Sequence, residues 1–222
     1  MNIIKNLCAI GAILFGLYLA FTFNEPRNGI LILSNKQTIE EIKVEQKNKV
    51  KTTDLYKVKI TEDNGRSVLI MDQKTAKAIA LKGVLREGEN SNFLDSNPIY
   101  SLPAIKNNDA ILFADNSYQN QKEIKIGDKE LTVSYEGNTW FGHYRDTAYE
   151  EVIVIVKNTI FDQIPVEEID MGILELNKVY GNNNGIVDTN IPKSVNAEKE
   201  FTRIFESHSD SIKFSQGLSI IN

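Results

Sequence analysis

An uninterrupted apolar run from Leu7 to Phe23, LCAIGAILFGLYLAFTF, constrains this chain more than any other stretch; Lys5 precedes it and Asn24, Glu25, Pro26 and Arg27 follow directly. As a helix it would rise about 26 Å, close to the short limit of a membrane span, about 17 residues. A secretory leader has a shorter apolar region and ends in a small-x-small cleavage site. Here the run closes on Ala20-Phe21-Thr22 among the bulky Tyr18, Phe21 and Phe23, so an uncleaved signal anchor fits better than a cleaved leader. A buried core helix without charges would need enclosure on all sides. Lys5 lies on one side of the run while Glu25 and Arg27 cancel on the other, so the positive-inside bias puts the N-terminus in the cytoplasm and the body on the extracytoplasmic side, periplasmic or luminal. The expected organisation is a membrane anchor over 1–27, a stalk or linker over 28–54 and an extracytoplasmic β-rich domain over 55–222.

About 195 residues remain beyond the anchor, enough for one domain with its own core. A net charge of −5 argues against a nucleic-acid partner. Lys43, Lys47, Lys49 and Lys51 form a short basic run, but Glu40, Glu41 and Glu45 interleave with it, as on a solvated face. The only cysteine, Cys8, lies in the apolar run, and His143 and His208 are the only imidazoles. The body therefore has no thiolate and cannot build a multi-histidine metal centre. No cofactor, metal or catalytic residue is assigned.

Along the chain, Gly29 to Leu33 has the length of a strand and Gln37 to Lys51 the helical spacing of a surface helix or stalk. Leu55 to Ile60 and Ser67 to Asp72 flank Asp63-Asn64-Gly65, a strong hairpin turn signal. Ala76 to Leu85 is ambiguous between helix and strand, and Arg86 to Asn97 reads as a polar loop. Asp109 to Phe113 is a strand, Glu123 to Val133 a second hairpin around Gly127-Asp128, and Trp140 to Tyr144 a further strand. Tyr149 to Val156 is the strand expected to pair with it, and it ends in five β-branched residues, Val152 to Val156, which belong in a central strand. Ile169 to Val179 leads to a Gly181 to Gly185 turn. Ser194 opens a helix carrying Phe201, Ile204 and Phe205, and Ser215 to Ile221 supplies a last strand. The fold class expected is α+β and β-rich: an N-terminal transmembrane helix, then a mostly antiparallel β domain with a C-terminal helix.

Candidate binding residues concentrate in Asn138 to Asp146, NTWFGHYRD, where Trp140, Phe141, His143, Tyr144 and Arg145 bring together residue types that dominate interface energetics. The competing reading places Trp140 and Phe141 in the core of a strand whose end carries His143, Arg145 and Asp146. No nucleophile-elbow G-x-S-x-G is present. Asn182, Asn184 and Asp188 lack the opening Asp and the bidentate Glu of a calcium loop. Glu150-Glu151 and Glu167-Glu168 point to opposite sides of a strand, a poor arrangement for a paired acid and base.

The apolar run with Gly11 and Gly16, ending in Asn24-Glu25-Pro26-Arg27, resembles the opening of the LUMA family of membrane proteins. Leu81-Lys82-Gly83-Val84-Leu85, followed by Phe93-Leu94-Asp95 and Pro98-Ile99, is similar to that family's G-x-L stretch and L-x-D motif. The resemblance implies membrane scaffolding rather than catalysis and brings no catalytic residues. This chain lacks the C-terminal spans of that family.

The function expected is a single-pass, non-catalytic protein-interaction or scaffold module. It meets membrane lipid through the N-terminal helix and binds a protein partner, a second copy of itself included; Ala12 and Gly16 form a small-xxx-small pair. The alternative is an envelope-associated hydrolase or glycan-binding protein with Asp146 and Glu150 in a cleft lined by Trp140 and Tyr144.

Overall fold

The computed structural model describes residues 25–63, 65–88, 96–105, 109–143, 147–150, 152–181 and 192–221. The apolar run lies outside these residues. Among them, no helix is long and apolar enough to cross a membrane.

The core element is a nine-stranded sheet in the order β12-β1-β11-β2-β3-β10-β6-β8-β7. Its strands are β1 (Gly29–Ser34), β2 (Val50–Asp63), β3 (Arg66–Asp72), β6 (Ala110–Phe113), β7 (Glu123–Ile126), β8 (Lys129–Tyr135), β10 (Val152–Val156), β11 (Glu168–Leu176) and β12 (Phe214–Leu218). Most neighbours are antiparallel, but β10 runs parallel to β3 and β8 parallel to β6. The sheet is therefore mixed but mostly antiparallel, as the sequence suggested. A second, three-stranded sheet has the order β5-β4-β9, from β4 (Leu85–Gly88), β5 (Ser96–Pro98) and β9 (Thr139–Phe141).

Strand alternation explains why both faces of the large sheet are covered. Leu31, Leu33, Leu69, Met71, Ile153 and Ile155 point to one face, beneath α2 (Gln73–Leu81) and the small sheet. Their neighbours split between two clusters on the other face. Val68, Ile70, Val152, Val154 and Val156 pack with Phe161 of α4 (Asn158–Phe161). Ile30, Ile32 and Leu174 pack with Ile39 and Ile42 of α1 (Lys36–Glu45) and with Phe201 of α5 (Pro192–Thr202). The remaining helix, α3 (Thr147–Glu150), is one turn long.

Residues 28–54, expected to form a stalk, are part of this body. β1 is an interior strand, hydrogen-bonded to β11 on one side and β12 on the other. Asn35 caps α1 by accepting from the Thr38 amide at 2.9 Å. Ile39 then packs over Gly172 of β11, whose missing side chain makes room: a Cβ there would come within 2.8 Å of the Ile39 methyl. The helix holds because its narrow apolar stripe, Thr38, Ile39 and Ile42, finds a hydrophobic floor already built by the sheet.

Candidate functional site

The small sheet gathers most of what the sequence marked as a site. In β9, Phe141 pairs with Leu85 of β4, and both join the main core. Trp140 faces the other way, in register with Arg86. Its indole is fully buried against Gly88, where a Cβ would lie 2.3 Å from the ring edge. His143 is buried just beyond the strand. Tyr144, Arg145 and Asp146 lie outside the described residues. Of the five aromatic and basic candidates, the structure thus brings Trp140, Phe141 and His143 together as packed interior groups. No indole wall is exposed there to line a cleft, which withdraws the support that the hydrolase and glycan readings drew from Trp140.

A different constellation lies beside it, where the chain joins the body. Arg86 is a buried cation held by three bonds. Its Nε donates to Ser96 Oγ at 3.0 Å, and its Nη2 donates to the Ser96 carbonyl at 2.5 Å and to Glu25 Oε1 at 2.7 Å. Two residues on, Arg27 is clamped as firmly. Its guanidinium donates to the Tyr180 carbonyl at 2.9 Å and to Glu198 Oε2 at 2.6 Å, and lies 3.8 Å over the Phe201 ring. Tyr180 returns a backbone bond to the Arg27 carbonyl at 2.8 Å. Asn28 bonds Ile220 in both directions, donating from Nδ2 to its carbonyl at 2.9 Å and accepting its amide on Oδ1 at 2.7 Å. The three residues thus lock the start of the body to the small sheet, to α5 and to the last residues of the chain.

The electrostatics of this region follow from its pairings. Lys178 bonds Glu200 at 2.7 Å, which raises the lysine pKa and lowers that of the carboxylate. Burial pushes the Tyr180 phenol up; the Lys178 ammonium, 4.7 Å over its ring, opposes this, and Glu200 reinforces it. The second histidine, His208, sits between Glu41 and Glu45 of α1, at 3.7 and 3.1 Å.

Sequence reasoning missed Arg86, assigned to a polar loop, and treated Glu25 and Arg27 as cancelling charges beside the apolar run. Neither role leaves a local signal, because the partners lie 61 and 171 residues away along the chain.

A model of an uncharacterised lipoprotein family matches residues 27–212. In backbone shape the chain is similar to a crystal structure of a Bacillus anthracis protein provisionally described as a lipoprotein. The TM-score is 0.66 over 87% of this chain and 99% of the other, at 20% identity, a level that speaks to fold alone. None of the curated proteins matches. The family match overturns the resemblance to the LUMA family. It also conflicts with the signal anchor and transmembrane span expected over residues 1–27.

Proposed function

The chain belongs to this uncharacterised lipoprotein family, and from that premise we propose that it is a non-catalytic interaction module held at the extracytoplasmic face of the membrane. Membership supports the coarser part, a membrane-associated protein of the envelope. A thioether-linked lipid would have one address in this sequence, Cys8.

The observation that carries the finer reading is the double clamp at Glu25 and Arg27. A domain bolted to the segment that precedes it is presented in a fixed orientation, and attachment to a surface raises its effective concentration toward other surface-bound proteins. A weak contact then suffices for function. The burial of Trp140 favours this over a carbohydrate cleft.

Two measurements on the full-length protein test the reading. Protease added to right-side-out membrane vesicles should digest the body, while inverted vesicles should protect it; the reverse pattern would place the body in the cytoplasm and end the proposal. Amine-reactive cross-linking of native membranes should give a discrete adduct with a partner or a second copy. A chain that stays monomeric in that experiment is not an interaction module.

A further inference from the structure

Three large apolar side chains are strongly exposed around the junction: Leu81 at 68%, Val179 at 53% and Ile221 at 41%. They are not scattered. Val179 precedes Tyr180, whose amide bonds Arg27; Asn28 bonds Ile220; and the Ile221 amide donates to the Lys82 carbonyl at 3.1 Å, next to Leu81. The three thus ring the point where residues 25–28 enter the body.

Basic residues flank the same pole. The turn after α1 leans on this region: the Asn177 amide donates to the Lys49 carbonyl at 2.8 Å, and its side-chain amide bonds the Asn48 carbonyl. Among the described residues here, Glu25 is paired with Arg86, Glu198 with Arg27, Glu200 with Lys178, Glu175 with Lys51 and Asp54 with Lys82. Lys47 and Lys49 make no ion pair among the described residues, in a chain whose net charge is −5. Lys49 acts on Glu200 only at a distance.

We propose that this pole is the surface the domain lays against the membrane, with Leu81, Val179 and Ile221 in the interfacial layer and Lys47 and Lys49 on the phosphates of anionic lipids. The occupant follows from where the rest of the chain begins. Family membership puts the protein at a membrane, and the N-terminal segment that carries the one lipid address, Cys8, joins the body at this pole, where Glu25 is fixed to Arg86. Apolar side chains beside lysines are the chemistry that binds such a surface. The proposal rests on the membrane attachment argued above and adds an orientation to it.

The test uses the full-length chain in vesicles of phosphatidylcholine and phosphatidylglycerol containing brominated lipid. The probes are Leu81→Trp and Val179→Trp, with Glu62→Trp as the distant control. Along β2, Lys51 and Glu62 are about 36 Å apart. Fluorescence at 81 and 179 should be quenched about twofold more than at 62, as for groups within the headgroup boundary. Replacing phosphatidylglycerol with phosphatidylcholine, or Lys47 and Lys49 with Gln, should reduce that difference. Equal quenching at all three positions in vesicle-bound protein overturns the orientation alone. So does a probe at 81 or 179 hidden from both brominated lipid and aqueous iodide, which would mean that protein covers the pole. Protein that fails to float with vesicles overturns the membrane attachment itself.

Discussion

At the scale of single residues, the small sheet depends on a glycine. A methyl at Gly88 would collide at 2.3 Å with the ring of Trp140, which is fully buried. Gly88→Ala is expected to cost about 1–3 kcal/mol in urea unfolding followed by tryptophan fluorescence. Adding Trp140→Phe should recover part of that loss, a coupling that a double-mutant cycle reads directly. Tyr180 behaves in the opposite way. Its hydroxyl is buried and has no hydrogen-bond partner among the described residues, so Tyr180→Phe should leave stability unchanged or raise it by up to about 1 kcal/mol. The folded phenol has a raised pKa. Its contribution is therefore complete below the unfolded value of about 10 and is lost as pH rises through the folded one. Tyr180→Phe should flatten the alkaline fall in stability above about pH 10, measured by denaturation at stepped pH. The sequence marked Trp140 and Phe141 as noteworthy and gave burial as one of two readings; what it could not show was Gly88, 52 residues earlier, as the floor under the indole.

At the scale of elements, legibility followed the sequence distance of the partner. The hairpin around Asp63-Asn64-Gly65 became β2 and β3, with Asp63 opposite Arg66, and Glu123 to Val133 became β7 and β8. Both are pairings between neighbours, so turn chemistry and alternation suffice. The β-branched run Val152 to Val156 is interior as composition required, between β3 and β6. β1 and α1 were legible as a strand and a helix but were set apart from the body as a stalk, because the partners of β1 are β11 and β12, more than a hundred residues on. One long-range tie is testable. Lys59 of β2 is buried and donates to the carbonyls of Phe161 and Ile164 at 3.0 and 2.7 Å, closing the end of α4 onto the sheet. Lys59→Ala removes two charge-assisted bonds and strands both carbonyls, an expected loss of about 2–4 kcal/mol in urea titration. Hydrogen exchange should rise at residues 158–166 before it rises in β10.

Across the whole molecule, the clamp decides whether the body moves as one piece with the segment before it. Arg27 is mostly buried between Tyr180, Glu198 and Phe201. Arg27→Ala should cost about 1–3 kcal/mol and release the amides of Arg27 and Asn28, bonded to the Gly181 and Leu218 carbonyls, to exchange, while the strands of the large sheet stay protected. An unchanged exchange profile would mean that Glu25 and Asn28 hold the junction alone. The arrangement also has a mechanical meaning. A pull transmitted from the membrane enters β1 at Gly29, along the strand, while β11 and β12 grip it from both sides in antiparallel register. Load applied from the hairpin end of β2 would shear those two ladders together instead of peeling one bond at a time. Under such a load the clamp residues should yield before the sheet does, because the two ladders resist together.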